Sequence, residues 1–245
     1  MEVVTTVFSP RKRPLEAVVS NHLALRGGCT RVWLNNGGGE TITRQLRALA
    51  AQAGCPAIIL ETGVMLPIAP AYNAVMKVAF EELQATAVLE LQDDVLVVND
   101  MVMHCYESGL DLAAGWHTDR EMRPYEIAGV PYVVGMAVFI KRHVWQRIGY
   151  HDEKMIRGVD ADYSIRAHCS GFSTGFLMHP RVRHLGDITT EDNGRIVTQY
   201  HRQAVLMLEF MLQNGLMKDR REDVHLSEQV SVERTEVLCD MLLSS

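Results

Sequence analysis

Gln92-Asp93-Asp94 sets two carboxylates side by side at the end of an apolar run, Thr86 to Leu91. Adjacent carboxylates repel each other unless a positive charge lies beside them. A hard divalent cation, held by one or two carboxylates and by phosphate oxygens, is a common solution. Two other segments suit the same chemistry. Ser9-Pro10-Arg11-Lys12-Arg13-Pro14 follows the first apolar run and offers cationic groups to phosphate. Asn35-Asn36-Gly37-Gly38-Gly39 follows the second and offers amides and a flexible backbone. Each also has an ordinary reading by residue type alone. Asp93-Asp94 can cap a helix or sit in a solvated turn, and Arg11 to Arg13 can be a solvated turn. The glycines, which match neither G-x-G-x-x-G nor a Walker A loop, can be a strand-to-helix turn.

The elements around these loops argue for a shared site. Val3 to Phe8, Arg31 to Leu34, Ala57 to Leu60 and Thr86 to Leu91 read as buried strands. Between them, Leu15 to Leu23, Ile42 to Ala53 and Ala71 to Leu83 carry apolar residues at helical spacing. The alternation predicts a parallel sheet with helices on both faces. Ligands bind such sheets beyond the carboxyl ends of the strands, so all three loops fall on the binding edge.

The pattern then changes. The sequence predicts a short helix over Asp100 to Tyr106 capped by Asn99, a strand over Leu110 to Trp116, and a loop from His117 to Val130. A long strand is expected over Tyr132 to Ile140, then helices over Arg142 to Ile148 and Asp160 to Ser170. Phe176 to Met178 and Arg181 to Arg183 read as short extended pieces, and Thr198 to Leu216 as an amphipathic helix. By residue type, Asp160 favours a helix N-cap. Asp162 and Arg166 stand four apart and suit an ion pair on that helix. A lone histidine such as His184 reads first as structural.

Composition bounds the class. A chain of 245 residues suits one α/β domain. The net charge of −6 argues against a general nucleic-acid binder. The five cysteines, Cys29, Cys55, Cys105, Cys169 and Cys239, never stand at C-x-x-C spacing. That disfavours a zinc ribbon and fits free thiols in a reducing compartment. No apolar run reaches the ~18 residues needed to cross a bilayer, and the N-terminus lacks a secretory pattern. The expectation is a cytoplasmic protein.

From about Val3 to Phe210, these segments in this order resemble the family 2 glycosyltransferases and their GT-A relatives. Arg13-Pro14 is similar to the end of the family's first loop, Leu34 to Gly38 to its V-D-N-G-S element, and Ala71-Tyr72-Asn73 to its A-x-N segment. Leu89 to Asp94 resembles the strand that ends in D-x-D. Gly135 to Arg142 and Gly149 to Glu153 resemble G-x-x-x-x-x-R-R and G-G-F-D-E. Gly158 to Arg166 resembles G-E-D-x-D-L-x-x-R, and Val182 to Gly186 resembles V-x-H-x-G. Asn35, Gln92 and Val159 stand where the family carries acids.

The resemblance implies an α/β, GT-A (Rossmann-like) fold: a mostly parallel sheet flanked by helices, with a smaller mixed acceptor-side region. It implies one catalytic domain over 1–216, divided into a nucleotide-sugar half (1–98) and an acceptor half (99–216), and a helical tail over 217–245. The nucleotide-sugar contacts would be Ser9, Pro10, Arg11, Arg13, Asn35, Asn36, Asn73, Gln92 and Asp93. Asp94 and His184 would hold Mn2+ or Mg2+. Asp160 would be the general base of an inverting transfer from a UDP-sugar to an acceptor hydroxyl. Trp116 and Asp162 would lie on the acceptor side. The acceptor stays open among a saccharide, a lipid-linked glycan, a small molecule, a protein and a modified nucleic-acid base. The C-terminal segment after Leu216 is a candidate for dimer formation, membrane contact or acceptor binding. The competing readings are a non-catalytic nucleotide-sugar-binding module and a nucleotidyltransferase. The latter usually has a glycine-rich, lysine-containing first loop, and Ser9 to Pro14 has no glycine.

Overall fold

The computed structural model describes residues 1–8, 16–25, 29–117, 126–127, 130–131, 133, 135–155 and 158–185. The loop Ser9 to Pro14, the helix expected at Thr198 to Leu216 and the tail lie outside these residues.

The first half alternates as its apolar runs require. It contains β1 (Glu2–Phe8), α1 (Glu16–Leu23), β2 (Thr30–Asn36), α2 (Gly39–Ala53), β3 (Ala57–Thr62), α3 (Ile68–Lys77) and β4 (Ala87–Gln92). α3 runs on into a π-helical turn, Val78–Glu82. Then come β5 (Val95–Leu96), α4 (Met101–Glu107), β6 (Leu112–His117), β7 (Glu126–Ile127), β8 (Val130–Pro131), β9 (Ala137–Lys141), α5 (Arg142–Ile148), α6 (Val159–Cys169) and β10 (Thr174–His184).

Among the described residues the main sheet has eight strands in the order β3-β2-β1-β4-β9-β6-β10-β5. The first four are parallel. β9 runs antiparallel to both β4 and β6, and β10 returns parallel to β6. Strand order therefore reverses at β1. The chain moves outward through β2 and β3, then crosses back to place β4 on the other side. The crevice above β1 and β4 is the topological switch point where such sheets bind ligands.

Both sheet faces are covered, which is why the central strands read as mostly apolar runs. Val3, Val32, Leu34, Val88, Ile140 and Val144 pack with Tyr72, Val75 and Met76 of α3 and Tyr163 of α6. On the other face, Phe8 and Trp33 pack with Val19 of α1 and Leu46 and Ala50 of α2, their rings meeting edge to face at 5.7 Å. Leu89, Leu91, Phe139 and Val182 pack with Met101, Val102 and Cys105 of α4. Among the described residues no helix is long and apolar enough to cross a membrane.

The structure departs from the sequence reading in the second half. α4 is capped by Asp100 rather than Asn99, with no side-chain cap bond. β7 and β8 pair inside the stretch expected to be all loop. β9 begins only at Ala137, because Gly135 and Met136 turn. The Gly135 N–H donates to the Asp160 carboxylate, and the Met136 carbonyl accepts from the Gln92 N–H. The two extended pieces near residue 180 form one strand, β10, whose register against β6 shifts between Leu177 and Arg181. Pro180, which has no N–H to give a ladder, sits within that shift and makes the strand read as two.

Candidate active site

β4 ends at Gln92, and Asp93-Asp94 turn the chain into β5. β5 pairs antiparallel with the end of β10, setting Val95 opposite His184. That register brings His184 Nε2 to 2.9 Å from Asp94 Oδ2. The Leu185 N–H also donates to the Asp94 carbonyl, at 2.8 Å. Asp94 is buried and His184 is about one-third exposed, so the pair faces outward on one side.

α1 holds this turn from behind. Asn21 Nδ2 donates to the Val97 carbonyl at 2.9 Å, and Asn21 Oδ1 accepts from the Val97 N–H at 2.8 Å. The fully buried His22 ring bridges Thr6 Oγ1 (3.3 Å) and the Val95 carbonyl (2.8 Å). The residues just after Asp94 are thus fastened to β1 and α1 by polar groups that the sequence reading passed over. An Asn-His pair in an apolar helix was the available signal.

Asp160 lies in the first turn of α6 and does not cap it. The cap is Gly158, in the left-handed conformation at φ 67°. Asp160 Oδ2 instead accepts from the Gly135 N–H at 2.7 Å. Glycine suits position 135 because an added Cβ would stand 3.1 Å from the Asp160 Cβ. Desolvation pushes the Asp160 carboxyl above its ordinary value, against the opposing pull of the Gly135 N–H, helix backbone N–H groups and His151.

A cavity of about 440 Å³ lies between β4, α3 and α6, within the usual size range for ligand pockets. Glu90, Gln92, His151, Asp160 and Ser164 are its polar walls, and Tyr72, Leu112, Val138 and Tyr163 are among its largely apolar ones. The Tyr72 phenol feels the carboxylates of Glu90, Asp93, Asp94 and Asp160. Burial first, and then these charges, push it well above its ordinary value. The four acids therefore converge on one region around α3.

Glu90 and His151 were missed in the sequence, where His151 read as structural. Their signal was an acid within the apolar strand, Leu89-Glu90-Leu91. Asn73 sets the segment that carries His151. Its Nδ2 donates to the His151 carbonyl (3.0 Å) and to Glu153 (3.1 Å), and its Oδ1 accepts from the His151 N–H (2.9 Å).

Other expected site residues are placed differently. Asn35 is fully buried and closes the turn into α2, bonding the Gly39 carbonyl, Thr43 Oγ1 and the Gly38 N–H. Asn36 is buried too and holds both the N–H and the carbonyl of Leu66. Asp162 receives two N–H groups of Arg166, at 2.9 and 2.7 Å, and does not line the cavity. Arg166 also binds the carbonyls of Ile148 and Tyr150, which fixes the approach to His151. Trp116 lies in β6, but its side chain is outside the described residues, as are Ser9, Pro10, Arg11 and Arg13.

Asp94 and His184 set a carboxylate oxygen, a donor for Mg2+ or Mn2+, 2.9 Å from an imidazole nitrogen, a donor for softer divalent cations. Among the described residues no third acidic, histidine or cysteine side chain completes a cage. A cation held there would take its remaining ligands from phosphate oxygens and water.

No protein-family model and no curated protein matches the chain. Solved structures do. The 1–349 fragment of S. aureus TarS is 10% identical, with a TM-score of 0.62 over 86% of this chain and 65% of that one. The same fragment in complex with UDP-GlcNAc is 10% identical, with a TM-score of 0.61 over 86% and 67%. A further S. aureus TarS structure is 8% identical, with a TM-score of 0.60, over 99% of this chain and 42% of that one. The chain thus spans about two thirds of the fragment's length and less than half of the longer protein. At this identity the likeness is one of fold: the chain has the GT-A fold.

Proposed function

We propose that this protein is a glycosyltransferase that moves a sugar from a nucleoside-diphosphate sugar, a UDP-sugar, to an acceptor hydroxyl with inversion. The observation that carries the proposal is the Asp94–His184 pair, 2.9 Å apart at the strand edge, beside a cavity walled by Asp160. TarS, which shares the fold, has been solved with UDP-GlcNAc. That supports UDP as the nucleotide.

In this reading Asp94 and His184 hold Mn2+ or Mg2+. When bound, the cation supplies Lewis-acid neutralisation of the charge that builds on the departing diphosphate. Asp93 and Gln92 flank the donor. Asn35 and Asn36 shape the loop at the nucleotide edge rather than touch the ligand, consistent with their burial. Asp160 takes the proton of the acceptor hydroxyl as it attacks the sugar carbon. Its raised affinity for a proton makes it a better base than an ordinary aspartate. The Gly135 N–H keeps one carboxylate oxygen fixed.

The test is thermal unfolding of the full chain with Mn2+ and a panel of nucleoside diphosphates, followed by assay of UDP release from UDP-sugars. A metal-dependent rise in midpoint with UDP, lost in Asp94→Ala, supports the site. Absence of a rise with any diphosphate removes it. A binding module without transfer is the second reading, favoured by Val159 at the mouth of α6 where the resemblance calls for an acid. Binding of UDP-sugar with no UDP release under any acceptor would select it.

A further inference from the structure

Glu90 stands in the middle of a central strand and is only 4% exposed. A carboxylate so placed needs strong partners. Among the described residues it has one hydrogen-bond partner, His151, whose Nε2 lies 3.4 and 3.3 Å from its two oxygens. One N–H shared at those lengths serves a group with about four acceptor positions. Asp162, nearby, receives two N–H groups at 2.9 and 2.7 Å. His151 is buried as well, and among the described residues its Nδ1 has no hydrogen-bond partner.

Packing does not call for this pair. His151 lies against the rings of Tyr163 and Tyr72, at 4.5 and 5.9 Å, where an apolar side chain would be at home. Both members of the pair line the 440 Å³ cavity together with Asp160. An under-bonded carboxylate on the wall of a cavity is a receptor for hydrogen-bond donors. Sugar hydroxyls are such donors, and a ligand carboxylate is not. A ligand carboxylate would also meet Asp160 in the same space.

Resting on the glycosyltransferase reading, we propose that Glu90, held by His151, is a specificity-determining residue for the transferred sugar. Its carboxylate accepts hydrogen bonds from the sugar's hydroxyls, so the cavity takes a neutral, hydroxyl-rich sugar and rejects a uronic acid. His151 is a positioning residue that fixes the orientation of Glu90.

The test measures binding of UDP, UDP-glucose, UDP-glucuronic acid, UDP-galactose and UDP-galacturonic acid to the full chain with Mn2+ by calorimetry. At least one neutral sugar nucleotide should bind more tightly than UDP. It should also exceed its own uronate by at least about tenfold, the scale of one misplaced charge. Glu90→Gln should leave UDP binding unchanged and narrow that ratio by at least about threefold, Asp160 keeping the remainder. Should Glu90→Gln fail to fold, the paired variant Glu90→Leu with His151→Phe reads the same ratio, since apolar replacement of both partners of a buried polar pair is commonly tolerated. Uronates binding as well as neutral sugars, neutral sugars adding nothing to UDP, or a ratio untouched by the variants would overturn the proposal alone. Failure of UDP itself to bind would overturn the underlying reading, and this one with it.

Discussion

His184 Nε2 lies 2.9 Å from Asp94 Oδ2, although one residue ends β10 and the other follows β4. The antiparallel step that sets Val95 opposite His184 makes the contact. Two backbone segments from different parts of the chain thus converge on one point at the edge of the sheet.

That pair makes metal the first variable to test. With Mn2+ and UDP at about 100 times the dissociation constant, the native state should gain about 2.7 kcal/mol. For a chain of this size that is a rise of several degrees in Tm. Asp94→Ala and His184→Ala should each abolish most of the metal-dependent part, as should a chelator with the unaltered chain. Equal rises with and without the chelator would remove the metal from the site.

Asp160 should leave a signature in both rate and stability. Its folded-state proton affinity is raised above the ordinary 3.8, chiefly by desolvation. Below the unfolded value both states are protonated and ionisation costs the fold nothing. Above the folded value the folded state carries the full cost. Asp160→Asn should therefore be more stable than the unaltered chain at pH 7, and the difference should vanish below about pH 3.8. UDP release should fall in that variant by at least about a hundredfold. In the unaltered chain, kcat/KM should fall on the acid side at a pH above the ordinary aspartate range. An Asp160→Asn protein less stable at pH 7 would contradict the desolvation account.

Gly135→Ala tests how tightly that carboxylate is held. The new Cβ would lie 3.1 Å from the Asp160 Cβ and 3.4 Å from Oδ2. A shift of a few tenths of an ångström relieves the crowding, so stability should change by less than about 1 kcal/mol. Transfer should drop by about tenfold, because misplacement of a reacting group is costly in rate. A variant with unaltered kcat would show that the Gly135–Asp160 spacing is not critical.

Arg166 fixes the segment leading into His151 through four hydrogen bonds, to Asp162 and to the carbonyls of Ile148 and Tyr150. Arg166→Ala should destabilise the protein by about 3 kcal/mol, since it strands a buried acid and two carbonyls. Arg166→Lys keeps the charge but not the fork, so it should recover only part of the loss. Chemical denaturation of the three proteins measures both steps.

Asn21→Ala should act on the metal site from a distance. Loss of both bonds to Val97 should cost about 2 kcal/mol. It should also weaken metal-dependent UDP binding more than binding without metal, because Val97 anchors the turn after Asp94. A uniform loss of both would make Asn21 purely structural.

Much of the first half was legible in the sequence because its signals are local. Val3 to Phe8 and Ala87 to Leu91 are buried on both faces, so they appear as mostly apolar runs between helices of regular period. That alternation determined the parallel half of the sheet, and with it the edge at which Asp94 must lie. The pairing of Asp162 with Arg166 was equally local, one helical turn apart. The second half resisted such reading. β5 has only two residues, and β9 starts late because Gly135 gives its N–H to Asp160 instead of to a strand. Asn35 and Asn36, polar and next to glycines, look available to a ligand. Only the packed loops show that their amides are bonded inward. The same holds for Glu90 and His151, far apart in the chain and joined on a cavity wall. Residue type and period specify elements and the order of loops along an edge. Which carboxylate meets which imidazole depends on strand register and helix packing, and those are set by contacts between segments that no local window of sequence contains.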